Sequence, residues 1–293
     1  MYLWVVFSGF CSVFGGCSTV FWSVFCTFLI GFLTDFSLTV SAIGWKYFIY
    51  FFSLGYGFSI VALGAAVAIM FFGSASVSSL ILCAVLILYG CRLGLFLYRR
   101  EKKSAAYRKI LYDKSLQEKK PVMEVIVVWV FCALLYVAEV SPVAFRLQNE
   151  AAGMPVSGLW AYVGAALMIV GAGLEAVADA QKSAAKKVNV GSFVSTGVYR
   201  IVRCPNYLGE ILLWTGCFVS GIGASLAVWQ WIVAAMGYLG ILFVMFSGAR
   251  RLELRQNKVY GDNPDYWKYV QSTPILIPFI PLYSVAKYKF LVP

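Results

Sequence analysis

The sequence predicts an all-helical (all-α) polytopic membrane protein with about seven transmembrane helices. Of its 293 residues, 61% are hydrophobic and only 13% are charged, whereas about a quarter of an average soluble domain is charged. Several apolar runs reach the roughly 20 residues that a helix needs to cross the hydrocarbon of a bilayer. These runs are continuous and do not alternate, which excludes a membrane β-barrel, the other fold that pairs its backbone groups in lipid.

Seven apolar runs are candidate spans, and we interpret residues 1–293 as a single transmembrane domain. The runs cover residues 3–33, 47–72, 77–98, 123–147, 157–179, 206–223 and 226–248. The first run is too long for the apolar core of a signal peptide, and no basic residue precedes it, since the first is Lys46. We therefore expect the first helix to be retained.

Basic residues alternate between the predicted loops. They are dense after the third span ("RREKKSAAYRKILYDKSLQEKKP"), after the fifth span and in the tail, whereas the loops after the second, fourth and sixth spans contain none. The positive-inside rule then predicts an outside N-terminus and a cytosolic C-terminus, in a bacterial inner membrane or the endoplasmic reticulum. The net charge of +11 suits contact with anionic membrane lipids. A nucleic-acid partner is not expected, because no recognition module is present.

The residue types argue against a metal site. The chain has no histidine, the commonest metal ligand. None of its eight cysteines forms a C-x-x-C pair, and most lie inside apolar runs. We interpret them as small hydrophobic residues and expect no metal cofactor.

Polar residues inside the spans are candidate functional residues, because ionisable groups at membrane depth are costly. Tyr89 and Arg92 share a helix face, and Arg92 lies about 10 Å deeper than Arg99 at the helical rise per residue. Either the Arg92 side chain reaches back to the lipid headgroups, or it has a polar partner inside the protein. Glu175 and Asp179, four residues apart, form either a surface salt-bridge ladder or a polar wall for a ligand.

A third group of polar residues begins the sixth span, in "RCPNYLGEILLW". Pro205 suits the first turn of a helix, where free N–H groups attract anions. Arg203 stands just before this turn, and Asn206 and Glu210 lie on one face below it. This pattern predicts a binding site for a molecule whose phosphates lie at the membrane surface and whose polar ring lies deeper in the membrane.

Four ordered stretches resemble the steroid 5α-reductase-like membrane reductases, especially the branch with the motif R-H-P-N-Y-x-G-E. They are "YGCRLGLFLYRR", "EAVADAQKSAAKK", "GVYRIVRCPNYLGEILLWTG" and "LELRQNKVYGDNPDYWKYVQSTPILIP". The isoprenylcysteine carboxyl methyltransferases are similar at a greater distance. The matches extend over residues 89–278 and are more specific for the superfamily than for a substrate.

The resemblance implies an NADPH-dependent oxidoreductase that reduces a conjugated C=C bond of a lipid such as a sterol, isoprenoid or fatty-acyl enone. Residues 89–278 would bind the cofactor, residues 1–88 would line the substrate cavity, and residues 279–293 would form a cytosolic tail. The resemblance assigns eight residues to cofactor contacts: Asn206, Tyr207 and Glu210 at the nicotinamide, Glu175 and Asp179 near the ribose and carboxamide, and Arg92, Arg100 and Arg203 at the phosphates or adenosine. Tyr89 would polarise the substrate carbonyl and is the catalytic candidate.

The chain departs from the reductase pattern at two points. Cys204 occupies the position of the motif histidine, so hydrogen bonds of that imidazole are lost. The steroid enzymes pair their tyrosine with a carboxylate on an earlier helix, but here Asp35 is the only acidic residue before Glu101. The source of the proton therefore stays open.

Two alternatives compete with the reductase. The methyltransferase relatives would use S-adenosylmethionine, but their R-x-x-x-E-E element is reduced here to Arg250 and Glu253. A non-catalytic lipid-binding or scaffold protein is the other alternative, and the missing acid and histidine favour it. Glu139 and Arg146, seven residues apart in the fourth span, either face a common cavity or pair with neighbours.

Overall fold

The computed structural model of the protein describes residues 18–103, 121–189 and 191–291, with side chains from residue 28 onward. Long helices make up most of these residues, and no strand occurs among them. The helices are α1 (Ser18–Ser41), α2 (Leu54–Phe71), α3 (Val77–Lys103), α4 (Val122–Ala151), α5 (Gly158–Val188), α6 (Pro205–Ser220), α7 (Val228–Tyr260) and α8 (Pro264–Ser272). The predicted all-helical membrane fold is confirmed.

Six of the described helices are long and apolar enough to cross a membrane, namely α1 to α5 and α7. Helix α6 has only 16 residues, fewer than the roughly 20 that span the hydrocarbon. It is a central helix, since Leu208, Leu213 and Cys217 along its length are buried. The count of seven crossings therefore stays a prediction.

The helices do not end where the apolar runs end. The first predicted span, 3–33, lies partly outside the described residues, and α1 continues to Ser41, after which short 3-10 turns lead into α2. Helix α5 extends nine residues beyond the predicted end at 179, and α7 extends twelve beyond 248, as Gly158–Val188 and Val228–Tyr260. A hydropathy pattern stops at the first charges, whereas backbone hydrogen bonds continue the helix into the polar region.

Glycines bring α5 and α6 into backbone contact. A Cβ atom at Gly209 would lie 2.6 Å from the Gly171 carbonyl oxygen and 2.7 Å from the Glu175 nitrogen. One heptad further on, a Cβ atom at Gly216 would lie 2.5 Å from the Gly164 carbonyl oxygen. Small residues at matching positions let membrane helices approach closely. This contact sets the distance between the functional residues that α5 and α6 carry.

A buried arginine joins the helices at the end of the bundle opposite the start of α6. Arg146 is fully buried and donates to the Ser79 hydroxyl at 3.0 Å, the Ser220 carbonyl at 3.1 Å and the Ser157 carbonyl at 2.8 Å. These partners belong to α3, α6 and the residue that precedes α5. Of the two interpretations of Arg146, the structure supports pairing with neighbours.

The last part of the described chain packs back onto the bundle. We call residues 279–291 the C-terminal strap. Arg203 donates to Glu253 at 2.9 Å and also to the carbonyl of Tyr283. The other Glu253 oxygen accepts from the Val285 amide at 2.9 Å. Arg250 donates to carbonyls further along the strap, so residues 279–291 of the predicted tail pack against the bundle.

Candidate functional site

Arg92 joins the two carboxylates that the sequence places on α5. Its Nη1 atom lies 2.5 Å from Glu175 Oε1, and its Nη2 atom lies 2.6 Å from Asp179 Oδ2. The carboxylate side chains are 5% and 15% exposed, and the arginine side chain is 25% exposed. Arg92 therefore has polar partners inside the protein, and α3 is tied to α5 by charge-assisted hydrogen bonds.

A second cluster surrounds Glu210, which is also buried. The Tyr56 hydroxyl donates to Glu210 Oε1 at 2.7 Å and accepts from the Trp214 indole N–H at 2.8 Å. The ring of Tyr56 lies against Tyr136 of α4, with centroids 5.1 Å apart. Tyr56 thus links α2 to α6 by hydrogen bonds that position the Glu210 carboxylate, and α4 packs against Tyr56 through the ring of Tyr136.

Tyr89 lies beside this cluster. Its side chain is 2% exposed, and its ring stands edge-on to Trp214, with a centroid distance of 6.5 Å. Its hydroxyl makes no well-formed hydrogen bond to a described residue, although Tyr56 and Glu210 are close enough to interact with it electrostatically. Because no well-formed hydrogen bond holds it, the Tyr89 hydroxyl can turn to a ligand that enters beside Tyr56 and Glu210.

The two clusters adjoin across the α5–α6 contact. Because Gly209 touches the backbone at Gly171 and Glu175, the residue after Gly209 lies next to Glu175. The second oxygen of Glu175 is buried and has no hydrogen-bond partner among the described residues. Three acidic side chains thus share one arginine in this centre, which suits a cationic ring or a set of hydrogen-bond donors.

The remaining predicted cofactor residues lie toward the start of α6. The half-buried Asn206 side chain has no hydrogen bond to a described residue, and no side chain caps the first turn of α6. The Tyr207 ring packs against Gly248. A Cβ atom added at Gly248 would lie 3.2 Å from the Cζ atom of Tyr207. The guanidinium of Arg100 lies 5.8 Å from the ring centroid of Phe96 on α3. Arg203 is 3% exposed and paired with Glu253.

A basic cleft opens between the end of α5, the segment before α6 and the end of α7. Its volume is about 140 Å³, and its wall includes Lys182, Arg203, Arg255 and the ring of Tyr260. Lys182 and Arg255 form no salt bridge within the described residues. The Nε and Nη1 atoms of Arg203 are buried without partners among those residues. Cations with unused donors beside aromatic rings suit a phosphate-bearing ligand.

Cys204 cannot replace an imidazole in proton transfer. The residue is 2% exposed, and burial raises the pKa of its thiol to about 12. The thiol therefore stays protonated at neutral pH, where a histidine would titrate. Its backbone N–H donates to the Ile275 carbonyl at 2.9 Å, so the position is structural.

Sequence patterns did not distinguish two members of the site, Tyr56 and Trp214, from the other aromatic residues of the spans. Tyr56 lies in an apolar run without a carboxylate, where a tyrosine does not stand out from membrane-interface aromatics. Its flanking glycines, in "GYG", were the available signal of close packing. No group of three or more possible metal ligands lies together in the described ranges.

Comparison with known proteins gives one match. The model of a family described as "Protein of unknown function (DUF1295)" matches residues 52–273. No curated protein and no solved structure matches the chain. The matched residues include every helix that contributes to the two clusters and the basic cleft.

Proposed function

We propose that this chain, which belongs to the DUF1295 family, is an NADPH-dependent membrane reductase that reduces the conjugated C=C bond of a lipid enone. The family is associated with steroid 5α-reductase-like proteins. One observation carries the proposal: Arg92 bridges Glu175 and Asp179, and the carboxylate of Glu210 adjoins them beside the buried hydroxyl of Tyr89. Intramembrane carboxylates are expensive, and they persist where they have a function.

The charges of the centre suit hydride chemistry. When bound, NADPH supplies a hydride, and its nicotinamide ring becomes positively charged. The carboxylates of Glu175 and Glu210 would stabilise positive charge as it develops beside them. The Tyr89 hydroxyl would donate a hydrogen bond to the carbonyl oxygen of the substrate, where negative charge develops.

The residues present fit NADPH along its length. Lys182, Arg203 and Arg255 would hold phosphates in the basic cleft. The carboxamide of Asn206 has no hydrogen-bond partner among the described residues, and it would hydrogen-bond the carboxamide of the cofactor deeper in the protein. The ribose would lie between these ends, next to Asp179.

The proposed cofactor face is cytosolic. The basic cleft lies on the side of the bundle that carries the positively charged loops, and the positive-inside rule assigns that side to the cytosol. The N-terminus would then lie outside, and the membrane would be a bacterial inner membrane or the endoplasmic reticulum.

Asn206→Ala tests the cofactor site with little risk to the fold. Loss of a hydrogen bond to the cofactor, worth about 1–1.5 kcal/mol, should lower NADPH affinity about tenfold. The unfolding temperature should not change, because the Asn206 side chain makes no hydrogen bond within the part of the chain that the structure describes. Calorimetric titration of detergent-purified protein with NADPH, NADH and S-adenosylmethionine measures the affinities side by side.

The control for this titration is Lys268→Ala on α8, where Lys268 is 79% exposed and pairs with Asp265. The control should bind NADPH as the wild-type protein does. Binding of S-adenosylmethionine alone would identify a methyltransferase, and binding of none of the three would favour a non-catalytic protein.

Tyr89→Phe tests the chemistry separately from binding. The variant removes only a hydroxyl, so NADPH affinity should be unchanged and turnover of a lipid enone should fall about 10²-fold, as when one oxyanion donor is lost. The measurement is NADPH oxidation at saturating substrate. Normal turnover would exclude Tyr89 as the donor.

A further inference from the structure

A fourth carboxyl group inside the bundle is not used by the mechanism above. Glu139 lies on α4 and is 3% exposed. Both of its carboxyl oxygens are buried and have no hydrogen-bond partner among the described residues. Its backbone carbonyl accepts from the thiol of Cys217 at 3.2 Å, which fixes the residue next to α6.

Glu139 has no described cation beside it. The basic residue that follows it on α4, Arg146, is two turns away and uses its donors on Ser79, Ser157 and Ser220. An ionised carboxylate without a cation or a donor is strongly disfavoured in an apolar interior, and such a group holds its proton instead. We therefore expect Glu139 to hold its proton as a neutral carboxylic acid.

The other buried glutamates that the structure describes have different environments. Glu175 is paired with Arg92, and Glu253 with Arg203. Glu210 accepts a hydrogen bond from Tyr56. Each of these partners favours the ionised form. Glu139 differs from these three glutamates because its carboxyl has neither a cation nor a hydrogen-bond donor among the described residues.

Glu139 also adjoins the proposed reaction centre. It lines a narrow cleft together with Trp214, whose indole donates to the Tyr56 hydroxyl. One turn back on α4, the ring of Tyr136 packs on Tyr56. One layer of side chains thus separates the acid from the Tyr56–Glu210 pair.

We propose that Glu139 stores the proton that the reduction consumes and delivers it toward the Tyr56 side of the site. This inference rests on the proposed function. Reduction of an enone by NADPH adds a hydride to the β-carbon and a proton to the α-carbon, and oxidises NADPH to NADP⁺. The O–H bond of Glu139 breaks, its proton becomes part of the new α-carbon C–H bond, and the remaining carboxylate takes a proton from solvent before the next turnover.

The first experiment is infrared spectroscopy at neutral pH, which separates the C=O stretch of a protonated carboxyl from the bands of a carboxylate. The part of the protonated band that belongs to Glu139 should be lost in Glu139→Gln and kept in Glu139→Asp. It should also be kept in the control Glu124→Gln, an exposed glutamate at the start of the same helix. A Glu139→Gln spectrum that keeps the whole band would overturn the proposal, whether or not the protein binds NADPH.

The second experiment compares binding with turnover in the same variants. Glu139→Gln should bind NADPH normally but reduce a lipid enone about 10²-fold more slowly, as when a general acid is lost, with partial rescue in Glu139→Asp. Normal turnover in Glu139→Gln would overturn the proton role and leave the reductase intact. Failure of the wild-type protein to bind NADPH would overturn both.

The pH dependence of turnover separates a proton donor from a packing residue. The activity of the Glu139→Gln variant should rise as the pH falls, because protons from solvent replace the lost donor. A loss of turnover in Glu139→Gln that is the same at every pH would indicate that Glu139 acts through packing alone. The other titratable side chains that face this position are Tyr56 on α2, Cys132 and Tyr136 on α4, Glu210 and Cys217 on α6, and Tyr238 on α7.

Discussion

Arg92→Met is expected to lower the free energy of unfolding by about 3 kcal/mol, the lower end of the range for breaking a buried ion pair. The substitution keeps an unbranched apolar stem but leaves Glu175 and Asp179 without their cation. The lower end applies because the Arg92 side chain is 25% exposed, which lets water reach the carboxylates. Unfolding of detergent-purified protein, followed by circular dichroism, measures the loss.

The pH dependence of this loss identifies its cause. Acidification protonates the two carboxylates, so the difference between Arg92→Met and wild type should shrink as the pH falls. The triple variant with Glu175→Gln and Asp179→Asn should recover most of the loss at neutral pH, because its carboxamides carry no charge. The exposed Arg251 provides the control, since Arg251→Met should leave the free energy of unfolding unchanged. If neither low pH nor the two carboxamide substitutions reduced the loss of stability in Arg92→Met, the arginine would act through packing.

Gly209→Ala is expected to lower the free energy of unfolding by at least about 3 kcal/mol. This is at or above the upper end of the usual destabilisation by an over-packed substitution. The added methyl would lie within 2.6–2.7 Å of the Gly171 carbonyl oxygen and the Glu175 nitrogen. Both atoms belong to the backbone, so the clash is relieved only by moving α5 away from α6. The measurement is the thermal stability of the variant in detergent.

Gly173→Ala is the matched control on α5, two residues from Gly171. A Cβ atom at Gly173 meets nothing within 4 Å, and alanine has the higher helix propensity, so the control should be as stable as wild type or slightly more stable. Gly209→Ala should also weaken NADPH binding, since separation of the helices moves Glu210 from Glu175. Equal stability of the two variants would show that the helices are not in close contact.

The sequence predicted the fold class well because composition and long apolar runs depend only on the membrane. It also identified Arg92, Glu175, Asp179 and Glu210 as candidates, because charge inside an apolar run is visible without a structure. It could not show that Arg92 bridges both carboxylates of α5, because pairing between helices depends on their rotation and depth.

The glycine contact between α5 and α6 was visible in the sequence as a spacing but not as a contact. Gly164 and Gly171 are seven residues apart, as are Gly209 and Gly216. This spacing places the glycines on one face of each helix, but the sequence does not show which other helix packs against that face. The unpaired carboxyl of Glu139 was equally hidden, because the absence of a partner is a property of the assembled bundle.

The C-terminal strap determines the order in which some hydrogen bonds of the bundle can form during synthesis. Arg203, Arg250 and Glu253 are synthesised before residues 279–291. Until those residues emerge, Glu253 lacks the amide of Val285, and Arg250 lacks its two carbonyl acceptors. These charged groups gain their described partners only when a peptide made later docks onto the bundle. The strap contacts are therefore the last of these hydrogen bonds to form during synthesis.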